Sequence, residues 1–233
     1  MKEIIILPTY NEKENIGLLI DEIFSLFPEI NILVVDDNSP DGTADLVEKL
    51  KAKYANLSLL KRPEKNGLGG AYIAGFKKLL IDHEVDKIIM MDGDFSHNPK
   101  YLSQMIAESE NYGLVIGSRY VKGGGITKWE LWRRILSAGG NAYVRMVLGR
   151  KIHDWTGGFN CINAGYLKKL NLDNIDLSGY AFIMGLKYFL IKTGAGIKEI
   201  PIIFEARRGG ESKLSHHIIS EGIIAPWKIL LGS

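Results

Sequence analysis

The sequence predicts an α/β domain built on a mostly parallel sheet with helices on both faces. Short apolar runs alternate with amphipathic helical patterns through the first half, as expected of strands joined by crossover helices. Asp, Asn, Tyr and Glu cluster directly after those runs, where open α/β sheets collect ligands. The run Ile88-Ile89-Met90-Met91 then reads as a strand buried on both faces, followed by Asp92-Gly93-Asp94, two carboxylates just past its carboxyl end. Hard divalent ions such as Mg²⁺ favour one or two carboxylates completed by substrate phosphates, while Asp and Gly are also ordinary turn residues. This stretch alone leaves both readings open.

In chain order, Glu3 to Leu7 is the first strand. Asn11 with Glu14 three residues on makes a capping box, and Ile16, Leu19, Ile20, Ile23, Phe24 and Phe27 follow at helical spacing as one apolar face. Asn31 to Asp36 is the second strand, and Asp41-Gly42-Thr43 opens a helix striped by Ala44, Val47, Leu50 and Tyr54. Leu57 to Lys61 is the third strand, after which Asn66-Gly67 leads into a helix over Leu68 to Leu80. Beyond the acidic stretch come a helix from Pro99 to Glu108 and a strand from Gly113 to Ser118. Lys122-Gly123-Gly124-Gly125 reads as a flexible loop and Trp129 to Leu148 as a long helix rich in Trp and Arg. The last third mixes short elements: Gly157 to Asn163, a helix from Ala164, another over Tyr180 to Ile191, and a strand at Ile197 to Ile203. A final helical pattern covers Ser215 to Leu231, where Pro226 should introduce a kink. The expected organisation is one domain over residues 1–214 and an amphipathic, membrane-proximal tail over 215–233.

Composition narrows the function classes. With 29 basic and 27 acidic residues the formal charge is +2, which carries no global bias toward nucleic acid. The single cysteine, Cys161, excludes an intramolecular disulfide framework and fits a reducing compartment. The start Met1-Lys2-Glu3 runs straight into a strand without the apolar region of a secretory signal, so the expectation is a cytoplasmic protein. No apolar run approaches the roughly 20 residues that span a bilayer, so membrane contact is expected to be peripheral or made through a separate membrane subunit.

The strand ends carry the chemistry. The first reads Pro8-Thr9-Tyr10-Asn11-Glu12 and lacks the G-x-G-x-x-G that a dinucleotide pyrophosphate needs, so a nicotinamide cofactor is not expected. The second ends in Val34-Val35-Asp36-Asp37-Asn38-Ser39-Pro40-Asp41-Gly42. A nucleoside would find carboxylates for base or ribose at Asp37 and Glu12 and an aromatic face at Tyr10. Each of these residues is singly a common cap or turn residue. Their fall at successive strand ends is what makes a site.

These motifs, with Asp92-Gly93-Asp94-Phe95-Ser96-His97, Gly117-Ser118-Arg119-Tyr120 and Gly210-Glu211-Ser212-Lys213-Leu214, follow one another in the order found in a known family. Over nearly its whole length the chain resembles the inverting glycosyltransferases of the GT-A fold, and among them the polyprenyl phosphate (dolichyl phosphate) mannose synthases. The resemblance implies a nucleoside-diphosphate sugar donor, GDP-mannose foremost, and a polyprenyl phosphate acceptor. It implies base and ribose contacts at Pro8, Tyr10, Glu12, Val35 and Asp37. Sugar and metal contacts fall on Asp92, Gly93 and Asp94, with Asp94 the leading ligand for Mg²⁺ or Mn²⁺ and Ser96 where many relatives carry Gln. Arg207 and Lys213 match donor-phosphate positions, while Arg119, Arg133 and Ser137 match an acceptor-phosphate cluster. Asp94, Arg119 and Arg207 are the implied catalytic set.

The implied chemistry follows from charge. Breaking the bond from sugar to diphosphate builds negative charge that a metal and fixed cations offset. A lipid monophosphate with a second pKa of about 6 is already a nucleophilic anion at neutral pH, so no general base is required. Trp129, Trp132 and Leu136 beside Lys128, Arg133 and Arg134 fit either a surface dipping into headgroups on the cytoplasmic membrane face or a buried core helix. Two departures stand out. Thr156-Gly157-Gly158-Phe159-Asn160 lacks an Arg common in relatives, and Gly179-Tyr180-Ala181-Phe182-Ile183-Met184-Gly185 lacks Gln at Ile183 and Glu at Gly185. Either a pocket has changed or a core ion pair has been lost. The alternatives to a mannosyl transferase are another donor such as UDP-glucose, a non-lipid acceptor, or a non-catalytic nucleotide-sugar-binding subunit.

Overall fold

Seven strands make the main sheet of this computed structural model, which describes residues 2–82, 84–175, 177, 179–206 and 216–232, with the backbone alone for 216–221. In chain order they are β1 (Lys2–Thr9), β2 (Asn31–Asp36), β3 (Leu57–Lys61), β4 (Val85–Met90), β5 (Leu114–Ser118), β7 (Asn160–Asn163) and β8 (Ile197–Pro201). Across the sheet they run β3-β2-β1-β4-β7-β5-β8. All neighbours pair parallel except β7, which lies antiparallel between β4 and β5. Two more short strands, β6 (Gly125–Ile126) and β9 (Ile203–Phe204), pair parallel in a separate sheet. The segment read as a flexible loop thus enters a strand at Gly125.

The crossover helices are α1 (Lys13–Leu26), α2 (Thr43–Leu50), α3 (Gly67–Leu80) and α4 (Leu102–Glu108), followed by α5 (Leu131–Leu148), α6 (Ala164–Leu167), α7 (Gly179–Lys192) and α8 (His216–Leu231). One core layer joins α1 and the apolar residues of α2 and α4 to one sheet face. The other gathers α3, α5, α7 and α8 on the opposite face, with Ala225 and Ile229 of α8 buried in it. The sheet is therefore sandwiched, which is why the centres of β1, β2 and β4 read as apolar runs, Ile4–Leu7, Ile32–Val35 and Ile88–Met90.

Two local expectations are corrected. The capping box at Asn11 and Glu14 does not form: Asn11 is left-handed at φ 58°, and α1 starts at Lys13. The loop after β2 supplies the acceptors instead, with Asp41 taking the Lys13 amide at 3.0 Å and the Thr43 hydroxyl taking the Glu12 amide at 3.1 Å. Asp41 also binds the Thr43 amide at 2.9 Å, so one carboxylate serves the starts of two helices. The helix expected from Pro99 begins as a short 3-10 turn capped by Asn98 before α4 continues it. Tyr54 lies beyond the end of α2, yet it completes the stripe by stacking on Phe24 with centroids 4.2 Å apart.

Candidate active site

The parallel register brings the sequence motifs to one edge. Pro8 of β1 is the register partner of Val35 on β2, and Thr9 that of Asp36. Asp36 is fully buried and spends its carboxylate on structure, accepting from the Thr9 hydroxyl at 2.8 Å and the Ser39 hydroxyl at 2.6 Å. Asp37 next to it pairs with Arg62, whose guanidinium donates to it at 2.6 Å. Burial pushes the Asp37 carboxyl above its ordinary value despite that cation. The Lys65 ammonium stands 3.9 Å from the Tyr10 ring centroid, and the Glu12 carboxylate accepts from the Asn15 side chain at 3.1 Å. These groups line the β1–β2 half of the edge.

The acidic loop follows β4. Gly93 is wedged beside β1, where an added Cβ would meet the Thr9 methyl at 3.5 Å and the Pro8 carbonyl at 3.6 Å. The Asp92 amide donates to His97 Nδ1 at 3.0 Å, which makes that nitrogen an acceptor and the imidazole neutral. Burial lowers the His97 pKa and favours the same state. The His97 ring stacks on Phe159 at 4.9 Å, so the loop is braced against β7's entry. Asp94 is buried and accepts the Ser96 amide at 3.0 Å, while the buried Ser96 hydroxyl has no hydrogen-bond partner among the described residues.

Across the edge, Arg119 follows β5 and reaches Asp154. Its Nε and one terminal nitrogen each donate to that carboxylate at 2.7 Å, and the same terminal nitrogen also donates to Thr156 Oγ1 at 2.8 Å. Burial opposes charge on both, but each partner's charge and hydrogen bonds outweigh it, holding Asp154 below and Arg119 above their ordinary values. On α5, Ser137 accepts from the Tyr120 hydroxyl at 2.7 Å, and the Arg133 guanidinium lies 4.6 Å from the Trp129 ring centroid. Phe204 of β9 links these parts: its ring is edge-on to His97 at 5.6 Å and to Trp129 at 5.5 Å, and 5.4 Å from the Arg119 guanidinium. Arg207 and Lys213 lie outside the described residues.

A family model described as glycosyl transferase family 2 matches residues 4–171. The chain belongs to glycosyl transferase family 2. It is similar to an undecaprenyl-phosphate mannosyltransferase of Micrococcus luteus, 39% identical over 224 residues that cover 96% of this chain and 92% of that one. It is also similar to a polyprenol monophosphomannose synthase of Mycolicibacterium smegmatis, 39% identical over 232 residues, covering 98% and 87%. Among solved structures it resembles the UDP complex of glucosyl-3-phosphoglycerate synthase from Mycobacterium tuberculosis, with a TM-score of 0.71 at 17% identity over 98% of this chain and 79% of that one. The shared fold is the GT-A fold expected from the sequence. The same synthase has been solved with Mn²⁺ and UDP, at a TM-score of 0.68.

In this family 2 glycosyltransferase the acidic loop fits a hard cation. Its donors are oxygens throughout, and the Ser96 hydroxyl is a buried oxygen left over beside Asp94. Among the described residues no group of three or more His, Cys, Asp and Glu gathers. The departures fall in unlike surroundings. Asn160 is buried and donates to the Gly157 carbonyl at 3.1 Å, whereas Gly185 on α7 faces Leu177 and the Ile229 side chain of α8. Sequence reading missed Arg62, His97, Asp154 and Lys187. The available signal for Lys187 was a lone charge inside the apolar run of α7.

Proposed function

We propose that this glycosyltransferase moves mannose from GDP-mannose to a polyprenyl phosphate by single displacement with inversion. The supporting observation is the 39% identity, over nearly the whole chain, to relatives named for mannosyl transfer to undecaprenyl phosphate and for polyprenol monophosphomannose synthesis. Tyr10 and Lys65 offer a stacking face and a cation to the nucleoside, and Asp37, held by Arg62, offers a carboxylate to base or ribose. Pro8, Val35 and Glu12 complete that half of the site. Asp94, with Asp92 and Ser96, would hold a Mg²⁺ or Mn²⁺ ion, which supplies Lewis-acid stabilisation of the leaving diphosphate.

Arg207 and Lys213 add fixed positive charge to the donor phosphates in this reading. In sequence they follow Glu205, whose amide donates to the Ser96 carbonyl at 3.3 Å. Arg133 and Ser137 receive the acceptor phosphate, while Arg119, committed to Asp154, fixes that wall. No described helix is long and apolar enough to cross a membrane. The lipid is reached instead through exposed apolar residues on two packed helices: Leu131, Trp132, Ile135 and Leu136 of α5, and Ile223, Ile224, Trp227 and Leu231 of α8. In this reading the enzyme works peripherally, on the cytoplasmic membrane face.

The test is transfer of radiolabelled sugar into organic-extractable lipid, with GDP-mannose and UDP-glucose as competing donors and polyprenyl phosphate as acceptor. Label from GDP-mannose in the lipid phase is expected. Label from UDP-glucose alone overturns the donor. Nucleotide binding without transfer from either donor supports the non-catalytic subunit.

A further inference from the structure

Lys187 is a lysine in the wrong place for a solvated charge. It sits on α7 among Phe182, Ile183, Met184 and Leu190 and is 1% exposed. Its ammonium donates to the Asp154 carbonyl at 2.7 Å and to the Gly157 carbonyl at 2.8 Å, spanning the two ends of one turn. That turn faces two ways. On one side the Asp154 carboxylate and the Thr156 hydroxyl hold the Arg119 guanidinium, and Asp154 closes the turn by accepting the Gly157 amide at 2.9 Å. On the other side Gly158 flanks the acidic loop, where an added Cβ would stand 3.7 Å from an Asp92 carboxylate oxygen and 3.5 Å from the His97 ring.

A buried ammonium needs a compensating charge and acceptors to be stable there. Asp154, shared with Arg119, and Glu199 supply the negative charge, and the two carbonyls supply the acceptors. Asn160, where the sequence lacks the arginine common in the resembled family, shares the Gly157 carbonyl with Lys187 through its own amide at 3.1 Å. A cation thus reaches this turn from α7 and not from β7. The remaining clamps on the turn are Asn141 of α5, accepting the Trp155 amide at 2.8 Å, and Glu199 of β8, accepting the Asp154 amide at 3.0 Å.

We propose that Lys187 is a positioning residue for group transfer: from inside the core it sets the Asp154–Gly158 turn, and through it both Arg119 and the wall beside Asp92. It touches no substrate itself. The proposal rests on the reading of this edge as a transferase site. It predicts a division of labour, because Lys187 makes no hydrogen bond to Tyr10, Asp37, Arg62 or Lys65 on the nucleoside half. Loss of Lys187 should disturb transfer and spare nucleotide binding.

The experiment compares Lys187→Met, which removes the donor, with Lys187→Gln, which keeps a shorter donor and the fold in reserve. GDP affinity by calorimetry, kcat for transfer to polyprenyl phosphate, and thermal unfolding are measured on each. Lys187→Met is expected to lose at least about tenfold in kcat with GDP affinity within about twofold of wild type, and Lys187→Gln to fall between them. A folded Lys187→Met with kcat within about threefold of wild type overturns the proposal, as does an equal loss in GDP affinity and kcat. Where Lys187→Met does not fold, Lys187→Gln is judged by the same limits. If wild type transfers no sugar, the functional reading fails, and positioning is judged by the NMR signal of the Arg119 Nε–H. A shift in Lys187→Gln supports positioning, and an unmoved signal overturns it.

Discussion

Arg119 grips Asp154 in a buried fork, with two nitrogens of one guanidinium on two oxygens of one carboxylate, each at 2.7 Å. The bond ties the end of β5 to the turn before β7, elements that flank the acidic loop from the far side of the sheet. A buried pair of this kind contributes little over an apolar replacement, but removing one partner strands the other charge. Arg119→Ala is therefore expected to destabilise the fold by about 3–5 kcal/mol in urea denaturation, and the double variant Arg119→Met with Asp154→Leu to recover part of that loss. An Arg119→Ala protein as stable as wild type would show that water reaches Asp154.

Asp94 and Ser96 test the cation. Asp94→Asn keeps the volume and removes a hard anionic donor, so divalent-dependent turnover should fall by orders of magnitude while the circular dichroism spectrum is unchanged. Ser96→Ala removes only a neutral oxygen and should cost a smaller, metal-concentration-dependent fraction. Full activity of the wild-type enzyme in excess EDTA would sink the assignment.

The proposed assignment puts Arg133 on the acceptor phosphate and Arg207 on the donor phosphates. Arg133→Ala should raise the KM for polyprenyl phosphate and leave GDP affinity intact, whereas Arg207→Ala should weaken donor use and spare the acceptor. Steady-state kinetics with each substrate varied in turn decides it. Parallel losses for both substrates in both variants would count against separate sites.

Lys187 also makes a prediction about stability. Burial pushes its ammonium from 10.5 down to about 8, with Asp154 and Glu199 resisting. Because the folded value is depressed, the unfolded chain holds a proton that the folded chain has released between those two values, and Lys187's contribution to stability rises with pH across that window. That contribution is lost again as the pH falls through about 8. The swing is on the order of 3 kcal/mol. The stability of wild type relative to Lys187→Met should improve by that order from about pH 8 to about pH 10.5, read from paired urea titrations. A difference that stays flat with pH contradicts a buried lysine.

The parts of the fold that were legible are those written locally. β2 and β3 begin at Asn31 and just after Asn56 and end at Asp36 and before Arg62-Pro63, where their apolar runs stop, and the acidic loop was found because its residues are consecutive. The start of α1 was misread because its cap comes from a loop 28 residues away, where Asp41 outcompetes the local box. The Arg119–Asp154 ion pair and the hydrogen bond from Lys187 to the Asp154 carbonyl join residues 35 and 33 apart, and such contacts leave no periodicity behind. For Trp129 the sequence left a headgroup-dipping surface and a buried core helix both open. Trp129 precedes α5 and packs edge-on against Phe204, which leaves Trp132, 55% exposed, as the exposed tryptophan of that stretch.

The membrane prediction follows from that division. Leu131 and Ile135 are 70% and 63% exposed at the start of α5, and Trp132 donates to Glu130 at 2.7 Å with its ring in solvent. Trp227 of α8 is half exposed and donates to the Tyr143 hydroxyl, which in turn donates to the Ile223 carbonyl, so the two helices share a hydrogen-bonded seam beneath their apolar faces. Burying a few such side chains in a headgroup region, with about 1 kcal/mol from each nearby basic residue on anionic lipid, gives reversible docking and not permanent anchoring. Binding to anionic vesicles should therefore be strong at low salt, weaken as salt screens the charges, and drop further in Trp132→Ala with Arg134→Ala while GDP affinity holds. Flotation at low and high salt measures each step. If the protein stays wholly soluble at low salt with polyprenyl phosphate in the vesicles, these faces do not meet lipid, and the acceptor must be delivered by a partner.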